Sequence, residues 1–138
     1  MINLEKSVID ETIGEFIDSE FEEFSNENGV VCGYEDFCYT VKDEGRLIAI
    51  LKGNAYYNEV HIGELLIIPG YRRQGIGKML IEQVEKDFAG KGYENINLTT
   101  FGFQAPEFYR KMGYSIEHIR KSSNDKLTKY FFVKELSS

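Results

Sequence analysis

Ile9, Ile13, Phe16, Ile17, Phe21 and Phe24 recur at steps of one, three and four residues. Those steps gather them on one side of a helix and predict an amphipathic helix over residues 6–25. The breaker-rich stretch 26–33 follows as a loop. From Phe37 the period shortens to that of a strand. Residues 37–42 and 46–52 read as a hairpin turned at Asp43-Glu44-Gly45. A third and longer strand region runs from Tyr56 to Ile68, with a split near Asn58-Glu59, and stops at Pro69-Gly70. Helical spacing returns at Ile76, Leu80, Val84 and Phe88, widened by Met79 and Ile81, and ends at Gly90. Ile96, Leu98 and Thr100 alternate as a strand. Pro106 suits the first turn of a short helix that Gly113 closes, and two last strands fall near 114–120 and 127–135. Helices interleaved with strands predict a mixed α/β sheet in a single domain over residues 1–138.

The junction between the third strand region and the second helix concentrates unusual residues: Arg72-Arg73-Gln74-Gly75-Ile76-Gly77-Lys78. The first turn of a helix leaves N–H groups without intrahelical partners, and the macrodipole adds partial positive charge there. Glycine lets the backbone come close to a phosphate and adopt a left-handed turn. Basic residues and glycines at such a junction therefore predict a pyrophosphate cradle. A Walker A loop is excluded, because Gly70 and Gly75 are followed by Ile76 where lysine is required. A dinucleotide fingerprint is excluded too, because its third glycine would fall at Leu80. The spacing that does fit is Arg/Gln-x-x-Gly-x-Gly/Ala, with Arg72, Gly75 and Gly77 at its fixed places.

At these residues the chain resembles the GNAT superfamily of acyl-CoA-dependent N-acetyltransferases. The block from Leu65 to Gly77 matches that family's strand, turn and loop, and Ala105 to Tyr114 matches its second signature. The resemblance covers roughly residues 36–134. It implies a mostly antiparallel central sheet flanked by helices, with two neighbouring parallel strands splayed apart at the cofactor site. It implies acetyl-CoA as cosubstrate and acetyl transfer to a primary amine, on a small molecule or a protein, by direct attack in a ternary complex. Backbone groups near Leu66, Ile67 and Ile68 would meet the pantetheine arm. The amides from Arg72 through Arg73, Gln74, Gly75, Ile76 and Gly77 to Lys78 would hold the pyrophosphate. Tyr109 matches the family's general acid, and a phenol that stays protonated at neutral pH can donate to a departing thiolate. Glu64 lies where the long strand nears the reaction centre and is the candidate base, with Glu59 and His61 as competitors on the same segment. The chain departs from the pattern at Gly102, where many members carry asparagine; Gln104 or Thr99 is the expected substitute.

Composition narrows the alternatives. At 138 residues and 42% hydrophobic, the chain is long and apolar enough for a folded core. Charge is unevenly spread. Residues 1–64 hold 15 acidic and 4 basic side chains, a net of −11, whereas residues 65–138 hold 8 and 12, a net of +4. The basic half contains the cradle, and the acidic half suits attraction of a cationic amine, although carboxylates such as Glu15 and Glu22 also fit a solvated helix face. The overall acidity and the lack of a basic patch with interleaved aromatics exclude nucleic acid as a partner. No apolar stretch is long enough for a membrane-spanning helix. Cys32 and Cys38 are too few for a disulfide framework or zinc site and read as reduced thiols of a cytoplasmic protein, with no metal expected. Neither adjoins a pattern for covalent catalysis. A non-catalytic acyl-CoA sensor or interaction module is the alternative class, and acceptor-dependent thiol release separates it from an enzyme. Apolar strands such as Tyr130 to Val133, expected at a sheet edge, would permit a homodimer.

Overall fold

The computed structural model describes residues 1–136. The chain forms two compact units, Met1–Gly33 and Tyr34 onward. The first contains helix α1 (Glu11–Glu27). It starts later than its apolar stripe suggests, because Asp10 is extended and its Oδ1 accepts from Ile13 N at 3.0 Å. The cap, which satisfies an orphan donor of the first turn, sets the boundary. At the other end Asn28 Nδ2 donates to Phe24 O at 2.9 Å, closing the last turn.

The second unit is a sheet with two helices. Its elements are β1 (Glu35–Asp43), β2 (Arg46–Tyr56), β3 (Glu59–Ile67), α2 (Ile76–Phe88), β4 (Asn95–Phe101), α3 (Pro106–Lys111), β5 (Ser115–Arg120) and β6 (Lys129–Glu135). Strand order is β1-β2-β3-β4-β6-β5, and among the described residues only β3 and β4 run parallel. The long strand region of the sequence is divided at Tyr57 and Asn58, where Tyr57 takes φ +52° and turns β2 into β3. Tyr130 to Val133 do not form an edge. They lie in β6 between β4 and β5, with Phe132 opposite Leu98 on one side and Ile116 on the other. Both ladders of that apolar run are satisfied and Phe132 is fully buried, so the sheet edges are β1 and β5.

Helices α2 and α3 contribute to one core against the sheet. Leu80, Ile81, Val84 and Phe88 of α2 and Tyr109 of α3 join Leu51, Val60, Leu98 and Phe132 there. Each fully buried Leu, Ile, Val or Phe of this set contributes about 1.5–3 kcal/mol. By strand alternation the opposite face carries Lys52, Asn54, His61, Glu64, Asn97, Phe101, Lys129 and Phe131.

Two glycines shape the centre. Lys52 pairs with Glu64 but Gly53 pairs with Ile62, so Gly63 is an extra residue, a β-bulge in β3. Opposite it, a Cβ on Gly53 would stand 2.3 Å from His61 O and 2.6 Å from Phe37 Cζ. Only glycine fits that approach. A bulge bends the strand that carries it. Beyond it β3 parts from β4: the parallel ladder runs from Glu59↔Asn95 to Ile62↔Leu98 and no further. A gap therefore opens between the C-terminal halves of β3 and β4.

Candidate functional site

The loop between β3 and α2 borders this gap. Gly70 takes φ +94°, Arg73 +61° and Gly75 +83°. Left-handed residues in a loop leading to a helix start can turn backbone N–H groups toward a concavity that suits an anion. Gly75 is the N-cap of α2 and offers no side-chain cap, so the amides of Ile76, Gly77 and Lys78 keep their donors for another partner. The loop is braced from within: Arg72 Nε donates to Ile67 O at 2.9 Å and Gln74 Nε2 to Gly70 O at 2.9 Å. Those two side chains shape the cradle. Arg73 and Lys78 make no ion pair among the described residues and leave their positive charge free beside this loop.

Backbone direction in β3 follows from its register. Ile68 N donates to Ile48 O at 3.0 Å, and Ile50↔Leu66 is the next pair of the same kind. Antiparallel alternation then turns the amides of Leu66 and Ile68 toward β2 and those of Leu65 and Ile67 toward the gap. Of the three backbone positions the sequence put forward, Ile67 faces the gap, and Leu65 joins it.

Helix α3 closes one side. A Cβ on Gly77 would stand 3.2 Å from Phe108 Cζ and 3.5 Å from Ile67 Cδ1, so the start of α2, α3 and the end of β3 meet at this glycine. The far end of α3 is tied by Lys134, whose Nζ donates to Met112 O and to Glu85 Oε2, both at 3.1 Å. Glu85 also accepts from Tyr114 Oη at 3.0 Å. Between these anchors Tyr109 is 7% exposed, its ring against Phe108, Tyr114 and Phe132. Burial pushes its phenol up to about 12. Tyr114 is raised as well, by burial first and then by Glu85.

The candidate bases lie on the face away from these helices. Glu64 is exposed just past the bulge, opposite Lys52, and accepts no hydrogen bond from a described residue. His61 is more constrained: its Nδ1 stands 2.8 Å from Asn97 Oδ1. Asn97 Nδ2 donates to Glu59 and Asn95, so its Oδ1 accepts from Nδ1–H, which in the neutral ring leaves Nε2 as an acceptor. Glu59 is the third member of this group, accepting from Asn97 Nδ2 at 3.5 Å. The sequence reading missed Asn97, whose strand-period position was the only available signal. Asn54, opposite His61, keeps a buried Oδ1 without a partner among the described residues.

The structure also accounts for the missing asparagine. A Cβ on Gly102 would stand 2.6 Å from Asp125 O, in the 3-10 turn Asp125–Leu127. Gln104 does not stand free as a substitute, because its Oε1 accepts from Phe101 N at 2.8 Å and Thr100 Oγ1 at 3.3 Å. No group of His, Cys, Asp and Glu among the described residues is arranged to hold a metal ion. No helix among them is long and apolar enough to cross a membrane.

A parallel strand pair that splays beside an uncapped helix start defines the class. The chain belongs to the acetyltransferase (GNAT) family, whose family model matches residues 3–114. Membership implies acyl transfer from acetyl-CoA. A blasticidin-S acetyltransferase from Streptomyces morookaense is 29% identical over 102 residues, covering 71% of this chain and 73% of that protein. The crystal structure of an acetyltransferase from Bacillus cereus superposes with a TM-score of 0.80 at 28% identity, covering 98% of each chain. A structure from Agrobacterium tumefaciens shares the fold at a TM-score of 0.83 and 16% identity, covering 99% of this chain and all of that one.

Proposed function

We propose that the protein transfers an acetyl group from acetyl-CoA to a primary amine by direct attack in a ternary complex. The observation that carries this reading is the gap itself: β3 and β4 part after Ile62 and Leu98, next to a loop whose left-handed residues feed uncapped amides into α2. In this reading the amides of residues 72–78 hold the pyrophosphate, and Leu65 and Ile67 pair with the pantetheine arm. The Ile67 N–H polarises the thioester carbonyl. Glu64 takes a proton from the incoming ammonium through a water, leaving a neutral amine whose lone pair forms the new C–N bond. As the C–S bond breaks, Tyr109 gives its proton to the leaving thiolate, and the proton shed by the new amide nitrogen returns to the Tyr109 phenolate. The contact between His61 and Asn97 favours a second assignment of the base alone, with His61 Nε2 in place of Glu64.

Calorimetry with acetyl-CoA, followed by thiol release across a panel of amines, tests the reading. One-site binding with amine-dependent release is the expected result. Binding without release for any amine would make the protein an acyl-CoA sensor, and no binding would leave only the fold.

A further inference from the structure

Strands β5 and β6 carry a cationic pair that the transfer steps above do not use. Arg120 and Lys129 are register partners across that ladder. Like charges directly opposite one another destabilise a strand pair. Among the described residues neither cation has a carboxylate partner; the ion pairs there are Arg110–Glu107 and Lys134–Glu85. Both instead lie over one ring. The Arg120 guanidinium carbon is 5.4 Å from the Phe131 centroid and Lys129 Nζ is 5.3 Å from it. Lys129 precedes Phe131 by two residues and Arg120 pairs with Lys129, so both approach the ring from the same end of the strand. Lys129 also lies 6.0 Å from the Phe101 centroid, and Phe101 stacks on Phe103 at 6.2 Å. Aromatic faces hold the two cations in place without neutralising them.

The position of this pair matters as much as its charge. Lys129 begins β6, Arg120 ends β5 and Phe101 ends β4, so the patch sits at the end of the sheet where β3 and β4 diverge. Leu98 and Phe132 point into the core with α2 and α3; by alternation Phe101, Lys129 and Phe131 point the other way. The cradle delivers the cofactor from the α2 side, so the amine must come from the opposite face.

We infer that Arg120 and Lys129 bind an anionic group, a carboxylate or phosphate, carried by the amine acceptor. This rests on the acetyltransferase reading above. β6 and β5 lie one and two strand spacings beyond β4, about 5 and 10 Å, which puts the anion about 10 Å from the reacting nitrogen. The acceptor is then longer than a free α-amino acid bound through its own carboxylate; an ω-amino acid or an aminoalkyl phosphate has the right form.

The test compares 8-aminooctanoate, 8-aminooctyl phosphate and 8-amino-1-octanol as acceptors, in the wild type and in the double variant Arg120→Gln/Lys129→Gln. The wild type should favour the anionic acceptors in kcat/KM by about tenfold, the scale of one charge-assisted hydrogen bond. That preference should shrink as salt rises and vanish in the variant, while acetyl-CoA affinity and the rate with the alcohol hold. The order of carboxylate and phosphate tells which anion the site takes. Equal rates for the three acceptors, or a preference that survives in the variant, would overturn the anion site and leave the transferase standing. If no amine is acetylated, binding of 8-aminooctanoate, followed through the ring resonances of Phe101 and Phe131, decides. Binding abolished in the variant upholds the anion site and counts against the transferase; absence of binding overturns the anion site.

Discussion

Replacing Tyr109 with phenylalanine removes one oxygen and leaves the ring that packs on Phe108, Tyr114 and Phe132. The hydroxyl makes no hydrogen bond to another described residue, so its loss strands no partner. Stability at neutral pH should change by less than about 1 kcal/mol. Turnover should change far more. Burial lifts the phenol to about 12, which keeps it protonated throughout any ordinary assay. Loss of a positioned general acid costs about 10²- to 10⁴-fold, or about 3–5 kcal/mol of barrier. The assay is steady-state thiol release with a reactive amine, paired with calorimetry of acetyl-CoA. The expected result is a kcat reduced by at least about 100-fold with cofactor affinity held within about twofold. Equal kcat in the two forms would refute the acid role. Alkaline unfolding gives a second reading. The folded phenol titrates above its unfolded value of about 10, so its stabilisation is complete below that pH and is lost as pH rises toward about 12. Two units amount to about 3 kcal/mol. Tyr39 is raised too and is unchanged in the variant, whereas Tyr114 is raised in part by Tyr109 itself, so the difference between the two stability curves reports Tyr109 together with its coupling to Tyr114.

Three further outcomes are expected. Gly77→Asp places a side chain against Phe108 and Ile67 and a negative charge at the cradle, and should weaken acetyl-CoA binding by about 100-fold, more than Gly77→Ala does; unchanged affinity in calorimetry would remove the cradle assignment. Gly102→Asn restores the residue common in the family but drives its Cβ into Asp125 O, and should cost about 1–3 kcal/mol in urea denaturation, so an unchanged midpoint would contradict the close approach. Glu64→Gln should lower kcat/KM by about 100-fold and His61→Gln by less; the reverse order in the same assay would move the base to His61 and its Asn97 partner.

Local chemistry alone made much of this protein legible. The stripe Ile76, Leu80, Val84 and Phe88 needs no distant partner to specify α2, and Gly75 and Gly77 announce an open helix start by their own stereochemistry. Period-two alternation located β4, and the Asp43-Glu44-Gly45 turn located the first hairpin. Boundaries depended on single side chains, as when the Asp10 cap moved the start of α1. Other features arose only when strands were placed side by side. Pairing of Phe132 with both Leu98 and Ile116 put β6 inside the sheet, although its sequence reads equally well as an edge. Gly53 and Gly63 are unremarked in a linear reading, yet the bulge they permit directs β3 away from β4 and creates the gap. The same is true of Arg120 beside Lys129 and His61 beside Asn97. Periodicity is encoded within each segment, because it depends on neighbours a few residues apart; which segments become neighbours across the ladder is settled by packing of the whole sheet.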